Sequence, residues 1–364
     1  MQPRIPKKLA GPLLFAAALL VGSAPAMSGA VVAQKLSYGE IAGWTGERHD
    51  EALAVFLRSC EGRGIGKTVK VLCPAAHQAM ERGREGARAF FERHFTPLRV
   101  TSAEGRRGFV TGYYEPEVSG ALHASRAFSA PLYRLPPGRS AGSTSPFATR
   151  AEIEAGALAG QGLELAFVRD RVEAFFIHVQ GSARIRLAEG GVMRVAFAGK
   201  NGHPYTSIGK VLIDRGEIAR ADMSAQRLHR WLTENPDRAD EVMAQNRSFI
   251  FFRKLADQDP ALGPHGAQGV ALTAGRRLAI DRKFHEFGLP VWIEGVLPRA
   301  DGRPEGVSRL MIAQDTGSAI VGPARGDIFF GSGDAAGAQA GLTQHMVDFV
   351  ILWPKGAALP AWAR

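Results

Sequence analysis

The chain has 364 residues, 45% of them hydrophobic and 22% charged, with a formal net charge of +10. That length allows two domains and a large core, in the balance usual for a globular protein. The positive residues are scattered, and only pairs such as Arg106–Arg107 and Arg276–Arg277 adjoin. This excludes the dense basic stripe of a nucleic-acid binder, so no nucleic-acid partner is expected.

The first segment has the layout of a secretory signal peptide. Arg4, Lys7 and Lys8 form a positive region, residues 9–21 are apolar, and small residues dominate 22–33. The apolar run is too short for a comfortable membrane span. Cleavage is expected between Ala24 and Gln34, giving a leader of residues 1–34 and a periplasmic or cell-envelope location. No Cys lies near the cleavage region, so a lipid anchor has no attachment residue. Losing the leader's three positive residues leaves a charge of about +7, suited to anionic polymers or headgroups. Peripheral membrane association stays open, and a monomer is expected.

The two cysteines are Cys60 and Cys73. In an oxidising compartment they are expected to pair, closing a loop worth ~3 kcal/mol in the chain-entropy treatment. Neither has a His at zinc spacing, and no metal or cofactor is expected.

Forty-three Gly and 21 Pro favour short strands and turns over long helices. Leu53, Phe56 and Leu57 recur at helical spacing within 50–57, and 74–95 reads as a second helix with Pro74 in its first turn. The pattern changes at Gly108. Strands are expected at 109–114, 174–179, 183–187 and 193–198, with 174–179 and 183–187 joined at Gly181–Ser182. A helical stretch at 222–246 is broken by Pro236. Further strands are expected at 249–252, 278–280, 290–294, 309–314, 327–330 and 347–353. Strands this short suggest barrels, not a layered α/β sheet.

Generic motifs are scarce. Gly66-Lys67-Thr68 resembles the end of a phosphate-binding loop, but the required Gly is replaced by Glu61. The C-terminal third places Asp315 and Asp327 on either side of a Gly-rich loop, each beside a hydrophobic run. Paired carboxylates are the usual tools of glycosidic cleavage. Asp beside Gly is also a common turn residue, as Asp334 and Asp348 illustrate.

Several longer stretches carry a resemblance. They are Thr111-Gly112-Tyr113-Tyr114-Glu115-Pro116, residues 176–182, 198–205 and 207–216, Asn246-Arg247-Ser248-Phe249, residues 269–294 and residues 314–331. In this order they resemble the membrane-bound lytic murein transglycosylase A family. The resemblance implies a mainly β fold with N-terminal helices: a double-psi β-barrel domain and a smaller inserted β-barrel domain, with a glycan groove between them. The barrel domain would take 35–115 and 256–364, and the insert 116–255. Asp327 falls where the family has its catalytic acid, and Asp315 where it has a supporting carboxylate. Thr111, Gly112, Tyr113 and Tyr114 fall where the family contacts sugar, and Gln180, Gly181 and Ser182 on the opposite wall. Lys200 and Asn201 are further candidates for substrate contact. Barrel core packing is the competing reading of Tyr113 and Tyr114. Lys200 and Lys210 are read first as solvated surface, with peptide-stem carboxylates as the alternative partner. Ser318 replaces a Gly common in the family's motif, and the family's usual lipid-anchoring Cys is missing.

The implied partner is the peptidoglycan glycan strand. The implied reaction is cleavage of the MurNAc–GlcNAc β-1,4 bond, with Asp327 as acid and then base and a 1,6-anhydro product. A muramidase that admits water and a non-catalytic murein-binding or scaffold protein are the alternatives.

Overall fold

The computed structural model describes residues 31–103, 105, 107–256, 262–317 and 319–363. Most of the expected leader and Ser318 lie outside the described residues. Val31–Lys35 forms an edge strand, β1, paired antiparallel with β2 (Phe95–Ser102), so the last four residues of the expected 1–34 leader are part of the fold.

Two short 3-10 turns and four α-helices separate those two strands, the latter being α1 (His49–Glu61), α2 (Lys67–Lys70), α3 (Cys73–Met80) and α4 (Gly83–His94). Asp50 and Glu51 in the first turn and Arg58 in the last suit the dipole of α1. Residues 74–95, expected as one helix, form two. The chain turns at Gly83, whose φ of 62° is a left-handed conformation. A disulfide joins Cys60 at the end of α1 to Cys73 at the start of α3. Phe56 of α1 packs edge-on against Phe95 of β2 at 6.2 Å.

The first sheet is completed by β3 (Gly108–Glu115). The chain then builds a second sheet from β4 (Glu117–Ala121), β5 (Ala130–Tyr133), β6 (Glu164–Val168), β7 (Ser182–Leu187), β8 (Val192–Lys200) and β9 (Ile250–Lys254). Among these strands lie α5 (Arg150–Glu152), α6 (Arg171–Gln180), α7 (Ile208–Asp214), α8 (Ala225–Glu234) and α9 (Pro236–Ala244). The strand order is β5-β6-β4-β7-β8-β9, and a bridge from Arg134 to Phe252 brings its two ends together.

The stretch 174–179, expected as a strand, lies within α6. Asp170 caps that helix by accepting from the Glu173 N–H, and Gly181 at φ 76° ends it. Residues 174, 175 and 177–180 are all buried, so the helix shows no polar face to betray its period.

The chain returns to the first sheet with β10 (Arg277–Ile280), β11 (Pro290–Pro298), β12 (Pro304–Asp315) and β13 (Arg325–Ser332). Helix α10 (Gly333–Leu342) and β14 (Gln344–Pro354) follow. The ring β14-β11-β12-β10-β13-β3 closes because β14 bends, pairing with β11 and β2 at one end and with β3 at the other. Two of its pairings are parallel, β10 with β12 and β13 with β3. The fold is therefore mainly β, with N-terminal helices and two barrel-like sheets.

Buried polar bonds tie the helices to the first sheet. Gln314 Nε2 on β12 donates to Ser59 Oγ at 2.6 Å and to the Val55 carbonyl at 2.8 Å on α1. A second cluster ties the two sheets together where the chain first crosses between them. The Glu115 carboxylate is fully buried and accepts from Arg184 at 2.8 Å, Arg194 at 2.7 Å and the Ser332 hydroxyl at 2.8 Å. Paired on this scale, a buried carboxylate is held in one place, and removing Glu115 would leave Arg184 and Arg194 without their shared counter-charge.

Candidate active site

A cavity of about 750 Å³ lies between the two sheets. One wall is β3 and α10, contributing Thr111, Gly112, Tyr114, Asp334 and Gly337. The facing wall is α6, α8, β4 and β7, contributing Phe176, Gln180, His229, Arg230, Glu117 and Arg186. Helix α10 lies close on β3 because each presents a glycine at the contact, Gly112 on the strand and Gly337 on the helix. A Cβ on Gly112 would come within 2.5 Å of the Phe330 ring and 2.8 Å of the Ala340 Cα. At one end Gln226 of α8 donates to the Ala338 carbonyl of α10 at 3.4 Å.

Asp327 lies on β13, directly beside Thr111 of β3 in the parallel register. Its side chain is fully buried behind Thr111 and does not itself line the cavity. Thr111 Oγ1 donates to Asp327 Oδ1 at 2.5 Å, and Arg325 Nη2 donates to Thr111 Oγ1 at 2.7 Å. Asp327 Oδ2 has no hydrogen-bond partner among the described residues. Burial pushes the Asp327 carboxyl up to about 7, against the charge of Arg325 and the Thr111 hydrogen bond, while Asp315 pushes it further up.

Asp315, at the end of β12, is buried and well satisfied. Oδ2 accepts from the Tyr113 hydroxyl at 2.8 Å, and Oδ1 from the Ala267 and Thr316 N–H groups at 2.9 and 3.0 Å. Arg277, fully buried on β10, supplies a nearby positive charge. The two carboxylates thus stand in different environments, one braced by donors and one left with an open oxygen.

The structure separates the remaining candidates. Thr111, Gly112, Tyr114 and Gln180 line the cavity, and Gln180 Oε1 accepts from the Tyr114 N–H at 3.2 Å across it. Tyr113 points to the opposite face from Tyr114, the face that Thr111 shares, as the alternation of a strand requires. It packs against Phe329 at 5.2 Å in the barrel core and offers no face to a sugar. Gly181 serves as the left-handed residue that ends α6, and Ser182 is the buried first residue of β7. Lys200 ends β8 away from the cavity lining. Asn201 is fully buried, and its amide bonds the Ala148 and Arg247 carbonyls and the Phe249 N–H, which makes it a brace between loops instead of a substrate contact. Lys210 is paired with Asp214.

Arg325 was not among the sequence candidates. It stands two residues before Asp327 on one strand, and alternation puts positions i and i+2 on the same side. Helices α8 and α10, which wall the cavity, also carried no motif signal.

Fold and site define a two-barrel, mainly β protein with a buried, proton-holding carboxyl behind the wall of an inter-sheet cavity. A family model described as the MltA specific insert domain matches residues 109–253, and one described as the 3D domain matches 276–353. The chain is similar to a membrane-bound lytic murein transglycosylase from Agrobacterium tumefaciens. The TM-score with that crystal structure is 0.77 at 36% identity, covering 89% of this chain and 98% of that one. The crystal structure of E. coli MltA with bound chitohexaose gives a TM-score of 0.67 at 29% identity, covering 97% and 98%. Membrane-bound lytic murein transglycosylase A of Vibrio cholerae is 36% identical over 250 residues, 68% of this chain and 64% of that protein. The matched stretch is thus just under two thirds of that curated relative's length. The chain belongs to the membrane-bound lytic murein transglycosylase A family.

Proposed function

We propose that this protein is a lytic transglycosylase that cleaves the MurNAc–GlcNAc β-1,4 bond of murein and leaves 1,6-anhydro-MurNAc. The observation that carries this reading is Asp327: a carboxyl raised to about 7 by burial, beside the cavity wall, with one oxygen unpartnered. An acid that must donate near neutral pH needs that shift. The bound chitohexaose of the E. coli relative supports an extended glycan as ligand.

In this reading Asp327 gives its proton to the bridging oxygen as the C1–O bond breaks. The resulting carboxylate takes the proton of the MurNAc C6 hydroxyl, and O6 bonds to C1. Protons and bonds balance without water, so one carboxyl serves twice. Intramolecular attack also gains from proximity. Asp315 holds Tyr113 and the 315–316 turn, and its negative charge helps keep Asp327 protonated. Tyr114 and Gln180 would border the strand. We infer two domains, 35–115 with 256–364 and 116–255, and a place in the cell envelope.

The test is digestion of purified murein sacculi, with products read by mass spectrometry and D327N alongside. Anhydro-muropeptides from wild type and none from D327N would support the reading. Reducing-end products would replace it with a hydrolase. Sacculi bound but uncut by wild type would replace it with a murein-binding protein.

A further inference from the structure

The buried row Arg325–Thr111–Asp327 carries information about which oxygen of the acid does the chemistry. Arg325 is buried, lies over the Phe109 ring at 5.3 Å, and also donates to the Gly326 carbonyl. A guanidinium only donates. Its bond to Thr111 Oγ1 therefore occupies a lone pair and obliges the hydroxyl to send its own proton elsewhere. The acceptor in place is Asp327 Oδ1 at 2.5 Å.

We propose that Arg325 is a positioning residue, turning the Thr111 proton onto Asp327 Oδ1 and so leaving Oδ2 as the oxygen that gives and then takes the reaction's proton. This rests on the reading of Asp327 as the catalytic acid. Oδ1 is committed as an acceptor in both protonation states, while Oδ2 carries no competing bond within the fold. The proton that leaves Oδ2 for the bridging oxygen is replaced there by the one from the C6 hydroxyl. Other groups facing Asp327 do not supply this selectivity. On β10 its register partner is Ala279, and from β12 and β3 come Asp315 and Tyr113, which bond to each other. Arg277 acts on that pair.

The test is carbon-13 NMR of the purified protein with labelled Asp side chains, the Asp327 signal being the one missing in D327N. T111V keeps the shape and removes the hydroxyl. R325M keeps most of the volume and removes the charge. Each removes an influence that lowers the Asp327 pKa, so each is expected to raise its titration midpoint by about one pH unit. The alkaline limb of murein cleavage should move up with it. T111S, which keeps the hydroxyl, should leave the midpoint near that of wild type. If Arg325 works through Thr111, the two shifts are less than additive in the double variant. Folded T111V and R325M proteins that titrate as wild type would overturn the proposal, and strictly additive shifts would reduce Arg325 to a charge acting through space, which overturns it too. The NMR midpoint does not depend on activity. Shifts without any murein cleavage would therefore leave the positioning intact and refute the catalytic reading alone.

Discussion

A carboxyl that holds its proton to about pH 7 in the fold has an ordinary value of 3.8 when solvated. Between those values the native state binds more protons than the unfolded chain, so this group lowers stability as pH rises. D327N, of the same shape and uncharged, is therefore expected to be more stable than wild type at pH 8, by up to about 4 kcal/mol. The two should converge near pH 4. Urea unfolding at both values checks this, and equal stability at pH 8 would mean that Asp327 ionises as easily in the fold as in water. The neighbouring tyrosines should behave differently from each other. Y113F leaves Asp315 short of a donor and is expected to cost about 1–3 kcal/mol, with chitohexaose affinity unchanged. Y114A removes a ring from the cavity wall and should weaken that affinity by up to about tenfold. Calorimetry separates the two, and a loss of affinity in Y113F would put that ring in contact with sugar after all.

At the scale of elements, the cavity depends on how closely α10 lies on β3. Gly112 and Gly337 make the approach, and a Cβ on Gly337 would come within 2.7 Å of the Tyr114 ring. G112A is expected to lift α10, costing about 1–3 kcal/mol as an overpacked site does, and to raise KM for murein as the wall shifts. An unchanged melting temperature and KM would mean that α10 has slack. The strands around this site were legible where Gly and Pro bracket apolar runs, as at 290–294 and 327–330. Helix α6 was not, because burial on all sides removed the 3.6-residue pattern and left its β-branched and aromatic residues to imitate a strand. Its signals were the cap at Asp170 and the glycine at 181, at the edges. Strands β4, β5 and β6 have four or five residues each. Gly120 and Pro131 also interrupt the apolar pattern within β4 and β5. Asp327 and Thr111 were found through resemblance to a family, whereas Arg325 was within reach of simple alternation and was overlooked.

For the whole molecule, acid should act mainly through buried imidazoles. Burial lowers His49 and His285 to about 4 and His178 well below its usual value. Below about 6.5 the unfolded chain takes up protons that these three refuse in the fold, so stability falls with pH over that window. Asp327 works in the opposite sense, as do the raised Glu154 and Glu173 carboxyls, but burial also lowers His94, His265 and His345, so the imidazoles outnumber them. The melting temperature is expected to drop from pH 7 to pH 5, and more steeply in D327N, where that part of the offset is gone. A flat profile would require these imidazoles to accept protons in place. The discontinuous architecture could not be read from composition, since nothing local marks 31–115 and 277–354 as parts of one sheet. That same architecture bears on how the molecule comes into being. Thr111 pairs with Gln344, and the ring has no local substitute for this contact. Such long-range pairing is slow to form. During synthesis β3, the first strand of the ring, has no strand partner until β13 and β14 have left the ribosome. The first sheet therefore closes last, whereas the second, whose strands all lie within 117–254, has every partner at hand well before synthesis ends.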